Sequence, residues 1–310
     1  MGRDVIDVVA VGHVLLDLRF LVDRFPGPDE EARIVDESRG VGGSAANVSI
    51  SVRRLGLSSA IAAKVGLDSF ARLAVDELLK EGVDISGLKI SAVSPTGFSV
   101  VVRDSQGRIV IYGFKGASEG LEPEDVDVSL IERARFVHVA SLRPDTTLRV
   151  VEQASRLGKV VSWDPGRVLA AMGIEKLSGV VRHVTTVLAN QREISLLTGV
   201  EDYREAARRV KSLGPRAVIV KRGSEGAYAV SDEGEVEVPA FPPPRVVDTT
   251  GAGDAFAAGL IASLARGYSF KYALRYASLV AAIKVSRLGS HATPTHSEVV
   301  KYAESLGLSP

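Results

Sequence analysis

The stretch Val247-Asp248-Thr-Thr-Gly251-Ala-Gly253-Asp254-Ala-Phe-Ala-Ala-Gly259-Leu-Ile concentrates the chemistry of this chain. It passes from a turn of small residues into a long apolar run, the pattern of a loop that feeds a helix. The backbone N–H groups of Gly251, Ala252 and Gly253 would then stand at the positive end of the helix dipole with no bulky side chain in the way. Such a place suits a phosphate, or the transition state of its transfer. A carboxylate in that first turn is a poor anion ligand but a fitting base for a hydroxyl proton, which makes Asp254 the candidate base. The competing reading has Asp254 as an ordinary acidic residue of a first turn and the glycines as aids to packing.

A second segment, Gly40-Val-Gly42-Gly43-Ser-Ala-Ala-Asn47-Val-Ser-Ile-Ser-Val-Arg-Arg-Leu55-Gly56, could meet a polyhydroxylated ligand. Gly42 and Gly43 permit close backbone approach, and an Asn47 amide can both donate to and accept from hydroxyls. Asparagine is scarce here: only Asn47 and Asn190 occur, with three glutamines, two methionines and no cysteine. The scarcity fits a heat-adapted source and makes each retained asparagine informative. The alternative is a helix start with an incidental Asn.

Composition narrows the remaining choices. Thirty-eight basic residues balance thirty-eight acidic ones without a long run of one sign, which argues against a nucleic-acid partner. The absence of cysteine removes disulfides, thiolate metal sites and cysteine nucleophiles. The five histidines, His13, His138, His183, His291 and His296, lack ligand spacing, and no Gly-x-Ser-x-Gly elbow is present. No stretch reads as a signal peptide or membrane span, so the cytoplasm is the expected location.

The elements that must carry these residues read as one continuous α/β domain over 1–310. Val5 to Gly12 has the length and β-branched content of a buried strand. Alternating segments over about 13–38 and 96–114, joined in the second case by the turn Asp104-Ser-Gln-Gly107, predict a small, half-exposed antiparallel sheet serving as a lid. From Phe136 onward short apolar runs alternate with amphipathic ones, a βαβ rhythm that implies a mostly parallel central sheet flanked by helices. Ligands of such sheets sit beyond the carboxyl ends of the strands. Three helices, roughly 251–266, 270–285 and 295–306, close the chain.

Both glycine-containing segments, with the βαβ spacing between them, resemble the two signatures of the ribokinase-like, or PfkB, family of carbohydrate and nucleoside kinases. The resemblance covers nearly the whole chain and implies a ribokinase-like fold, ATP as phosphoryl donor and Mg2+. Gly12-His-Val-Leu-Leu-Asp17 is similar to the family's first strand exit, whose Asp binds substrate hydroxyls, so Asp17 is the implied counterpart; a solvated lid carboxylate is the alternative. Asn190-Gln-Arg-Glu193 resembles the Asn-x-x-Glu element that positions magnesium and phosphates through water, with Glu193 as the indirect metal residue; Asn190 would also serve as a helix cap. Lys221-Arg-Gly223-Ser-Glu-Gly226 resembles the segment beside the nucleotide, with a solvated turn as the alternative, and Ser278 aligns with the stretch that borders the adenine. Family members often hold a monovalent cation such as K+ beside the anion site, which implies Asp248 and Thr250. Their lid strands can pair between subunits, which leaves room for a homodimer.

The chain departs from ribokinases proper, which carry an Asn two residues before the first-strand Asp and a Glu after the strand corresponding to Phe136–Ala140. Here Leu15 and Ala140-Ser141 stand in those places. Arg143 follows that strand, and Arg19 and Arg103 fall in lid segments; a guanidinium among them could meet a phosphate or carboxylate, against the stronger competing reading of solvated surface arginines. The acceptors left open are nucleosides, sugars, sugar phosphates of the fructose 6-phosphate type and 2-keto-3-deoxy sugar acids, with the Gly-Gly-Ser-Ala-Ala-Asn wording leaning toward a nucleoside or a broad range of sugars. A non-catalytic sugar or nucleotide sensor on the same fold would have lost the base or the glycines, and a dehydrogenase would need Gly-x-Gly-x-x-Gly after the first strand; neither mark is present.

Overall fold

The computed structural model describes residues 5–308. The first apolar run forms β1 (Ile6–Val11), whose side chains alternate between two buried layers: Val8 and Ala10 face one core, Val9 and Val11 the other. A strand apolar on both faces belongs inside a sheet covered by helices on both sides. The chain then leaves this sheet through β2 (Leu15–Val22) and β3 (Ile34–Gly42), and returns by way of the helix Ser44–Arg54 to β4 (Ser59–Gly66) and β5 (Asp84–Ser91). A second excursion makes β6 (Thr96–Asp104) and β7 (Ile109–Gly116). The βαβ half supplies β8 (Ala134–Ala140), β9 (Val160–Asp164), β10 (Thr186–Asn190) and β11 (Ala217–Lys221), and the hairpin β12 (Ala227–Ser231) and β13 (Gly234–Val238) ends the run.

Among the described residues the main sheet has nine strands in the order β13-β12-β11-β10-β9-β8-β1-β4-β5. From β11 to β5 every pairing is parallel, and only the β11-β12-β13 edge is antiparallel. The small sheet has the order β3-β2-β6-β7. It corrects one expectation: β2 and β6 run parallel, from Leu15 opposite Gly97 to Val22 opposite Asp104, so this sheet is mixed. Alternation along a strand shows which face is buried but not the direction of its neighbour. Here both excursions leave the main sheet from its carboxyl edge, so their first strands point the same way. The Asp104–Gly107 turn does form, with the Gly107 amide donating to the Asp104 carbonyl at 3.1 Å, and β6 and β7 pair antiparallel.

The closing helices occupy Ala252–Ala265, Phe270–Lys284 and His296–Ser305, within two residues of the expected bounds. The first is apolar almost all round and is buried between Ser44–Arg54 and Phe270–Lys284. Gly259 permits that packing, since a Cβ there would lie 3.0 Å from Ala277 Cα. No helix of the described residues is long and apolar enough to cross a membrane.

Candidate active site

The helix Ala252–Ala265 begins at Gly251, whose φ of 77° lies in the left-handed region that favours glycine. A side chain there would also collide with the chain opposite, since a Cβ would stand 1.9 Å from the Ser290 carbonyl oxygen. Among the described residues the amides of Gly251 and Gly253 make no backbone hydrogen bond outside the helix itself. The Ala252 amide, expected to be open like its neighbours, instead donates to the Thr249 carbonyl at 3.1 Å, because the loop closes a tight turn before the helix starts.

Asp254, in the first turn, is clamped by the neighbouring helix Ser44–Arg54. Ser44 Oγ donates to Asp254 Oδ1 at 2.8 Å, and Asn47 Nδ2 donates to Oδ2 at 2.7 Å. Among the described residues the buried oxygen of the Asn47 amide has no partner, an acceptor left over for an incoming hydroxyl. Burial pushes the Asp254 carboxyl up to about 6; nearby Asp164 acts in the same direction, and the Asn47 and Ser44 hydrogen bonds and Lys221 oppose it.

The phosphate side is built where parallel strands end. Lys221, at the end of β11, donates from Nζ to Asp164 Oδ2 at 2.5 Å, and a Cβ on Gly253 would lie 3.2 Å from that nitrogen. Burial alone would lower the Lys221 ammonium, yet Asp164 and Glu193 hold it above its usual value. Glu193 and Asn190 form a reciprocal cap: the Asn190 side chain accepts from the Glu193 amide, and the Glu193 carboxylate accepts from the Asn190 amide, each at 2.8 Å. Burial and the neighbouring Asp164 raise the Glu193 carboxyl. Three carboxylates, Asp164, Glu193 and Asp254, thus share one lysine, and two of them resist ionisation. Among the described residues no three such side chains are grouped closely enough to ligate a metal directly, so a divalent cation here would be held through bound water.

Asp17 is buried in β2, and its carboxylate accepts from Ser99 Oγ at 2.5 Å, Arg19 Nη2 at 2.8 Å and Ser290 Oγ at 3.0 Å. Gly42 makes the room: a Cβ there would stand 2.2 Å from Asp17 Oδ1. Gly43 caps the Ser44 helix. Ser290 joins the two halves, since its hydroxyl meets Asp17 while its carbonyl lies against Gly251.

Other expected residues stand apart from this cluster or are engaged otherwise. Arg143 is held in a two-point contact by Asp145, at 2.7 and 2.6 Å, before the helix Pro144–Arg156. Gly223 and Gly226 shape the exposed turn after β11. Ser278 is buried in Phe270–Lys284 with no partner for its hydroxyl among the described residues. Asp248 spends its carboxylate on backbone, accepting from the Thr250 amide at 2.9 Å and the Gly289 amide at 3.0 Å, while its carbonyl accepts from Lys284 Nζ at 2.8 Å. Burial alone would raise the Asp248 carboxyl, but the Lys284 ammonium and those amides hold it below its usual value. Burial pushes Lys284 down to about 8, against the pull of Asp248. The expected K+ at Asp248 and Thr250 therefore meets an ammonium already in place, and the residues present do not suit it.

Three further residues belong to the site without a role assigned to them from sequence. Ser44 lies within the segment Gly40–Gly56, yet nothing marks it beyond its place one residue after Gly43. Asp164 ends a parallel strand, where ligands of such sheets bind, a signal that could have singled it out. Ser141, after β8, has φ 34° without being glycine, a strained backbone of the kind that collects at functional sites, and its amide donates to the Asp164 carbonyl at 2.9 Å.

Comparison with known proteins places the chain in a family over nearly its whole length. The model of the pfkB family carbohydrate kinases matches residues 5–296. The chain is 35% identical over 295 residues to the ATP-dependent ribose-1-phosphate kinase of Halopiger xanaduensis, covering 95% of this chain and 97% of that one. It is 32% identical to a nucleoside kinase of Methanothermobacter thermautotrophicus, over 95% and 94% of the two chains. Its structure is similar to an E. coli chain assigned to ribokinase II and solved with ATP and Mg2+, with TM-score 0.84 and 25% identity over 96% and 99% of the two chains.

Proposed function

Because the chain belongs to the PfkB family of carbohydrate kinases, phosphotransferases with an alcohol acceptor, we propose that it moves the γ-phosphate of ATP to a hydroxyl of a nucleoside or sugar with Asp254 as base. One observation carries this reading: the Asp254 carboxylate is held between Ser44 and Asn47 on one side and lies in the field of Lys221 on the other. A hydroxyl at Asp254 gives up its proton to the carboxylate as its oxygen bonds to the γ-phosphorus, and the bond from that phosphorus to the β-γ bridging oxygen breaks to release ADP. The amides of Gly251 and Gly253 and the Lys221 ammonium face the charge that develops on the transferring group. Asp17 and Asn47 orient the acceptor, and the small sheet acts as a lid that excludes water. Asp164 and Glu193 would hold Mg2+ through water, and the ion, when bound, supplies charge neutralisation on the phosphate oxygens. Asn190, Gly223, Gly226 and Ser278 line the nucleotide side in this reading.

A second acceptor class, sugar phosphates such as ribose-1-phosphate, is favoured by a cavity between the small sheet and loop 247–250 that Arg19 and Arg103 both line. The name of the Halopiger relative supports it. We also propose a homodimer joined through β7, the outer strand of the small sheet.

The deciding experiment measures magnesium-dependent ATP consumption by the purified protein against nucleosides, hexoses, ribose-1-phosphate and other sugar phosphates, and keto-deoxy acids. Stimulation by a nucleoside or free sugar is the expected result, and stimulation by sugar phosphates alone selects the second reading. Silence over the whole panel, with ADP also tried as donor, overturns the kinase assignment.

A further inference from the structure

Lys284 ends the helix Phe270–Lys284 with its side chain wholly out of solvent, at 0% exposure. An ammonium so placed must be matched by carboxylates or by backbone carbonyls. Its Nζ donates to the main-chain carbonyl of Asp248, the residue from which the loop to Gly251 starts. The same residue ties that loop to the segment after Lys284. Val247 and Asp248 donate their amides to the Val285 carbonyl at 2.8 and 3.1 Å, and the Asp248 carboxylate takes the Thr250 and Gly289 amides. The lysine therefore sits at the knot that fixes the loop ahead of the anion-binding amides.

From this geometry we propose that the Lys284 ammonium is a built-in monovalent cation: it does for loop 248–251 what a bound K+ would do, so the enzyme needs no added monovalent ion. An ammonium and a potassium ion carry the same charge, have similar size and both seek carbonyl oxygen. The groups that a K+ would need from Asp248 are already in use, the carbonyl by Lys284 and the carboxylate by two amides. Two positive charges at one carbonyl in a dry interior repel strongly, and Arg19 adds a third positive group nearby. Asp248 and Asp254 balance the lysine, and the carbonyl end of the helix Phe270–Lys284 favours a cation at its last turn.

The inference rests on the kinase reading of the site, but one arm of its test does not depend on turnover. The wild-type protein and Lys284→Ala are compared at pH 7 in tetramethylammonium chloride and in KCl or NH4Cl of equal ionic strength, reading both turnover and melting temperature. Wild-type turnover and melting temperature are expected to change by less than twofold and less than 1 °C between the salts. Lys284→Ala is expected to lose at least tenfold in turnover without K+, to recover most of it in KCl or NH4Cl, and to melt several degrees higher in those salts. A wild-type enzyme activated tenfold by K+ overturns the proposal, as does a folded variant that no monovalent cation rescues or stabilises. Should Lys284→Ala fail to fold, Lys284→Met is put through the same salts, and the wild-type titration decides on its own if neither variant is obtained. If the protein proves inactive on every acceptor, the melting temperatures still report whether a cation binds once the lysine is gone.

Discussion

At the scale of single residues, Asp254 must act as a base while half-buried among other acids. Burial pushes its carboxyl to about 6, so it is charged at neutral pH but closer to a hydroxyl in proton affinity than a free aspartate. The sign follows directly: the base works only when ionised, so kcat/KM should rise as pH climbs through about 6 and level off above. Asp254→Asn should remove that rising limb and cost roughly 10²- to 10⁴-fold in kcat, with acceptor and ATP affinity within a few-fold of wild type. Steady-state kinetics over pH 5 to 8 checks both, and near-normal turnover in the variant would remove Asp254 from the mechanism. Asp254 and Asn47 were legible in the sequence because each lies in a dense local pattern of glycines and small residues. Asp164 has only its place at the end of a parallel strand to mark it; its pairing with Lys221, 57 positions further on, comes from the parallel register of the sheet.

The site at the scale of elements is a matter of register. In the small sheet Asp17 of β2 stands opposite Gly40 of β3, which leaves Gly42 diagonally across and directly beneath the carboxylate. Gly42→Ala would put a methyl 2.2 Å from Asp17 Oδ1 and force the carboxylate off Ser99 and Ser290. The expected outcome is a rise of about tenfold in KM for the acceptor, on the scale of one displaced polar contact, with KM for ATP and the circular dichroism spectrum unchanged. An unaltered acceptor KM would separate Asp17 from acceptor binding. The same register explains what could be read of the fold. The helices from 252 onward and the strands from β8 to β11 follow from hydrophobic periodicity, which is a local property. The parallel pairing of β2 with β6 does not, since it is decided by which edge of the main sheet the chain leaves. Residues 59–91, with β4, β5 and the helix Ser69–Lys80, lie outside the segments assigned from sequence, as does the β12–β13 hairpin, where Glu235 and Glu237 interrupt the apolar signal of an edge strand.

At the scale of the whole molecule, the outer edge of the small sheet stands uncovered among the described residues. Both faces of the main sheet are packed, yet β7, an edge of the small sheet, exposes Ile109, Val110, Ile111, Tyr112 and Phe114, at 44, 37, 57, 65 and 45%. An edge strand with open backbone groups and adjacent apolar side chains is a template for pairing, and a folded protein that keeps one has usually given it a partner. Two copies of β7 can pair antiparallel about a twofold axis, extending each small sheet into the other and covering the apolar residues of both. The same pairing would stiffen the lid from outside, which links assembly to closure over the acceptor. Light scattering after size exclusion should therefore give twice the chain mass at micromolar concentration. Ile111→Lys, which places a charge at the middle of the strand and breaks no contact within the main sheet, should give the single-chain mass and an acceptor KM raised several-fold. A wild-type protein that remains a single chain at every concentration would show that the strand is exposed for another reason. A variant that stays dimeric would move the interface elsewhere.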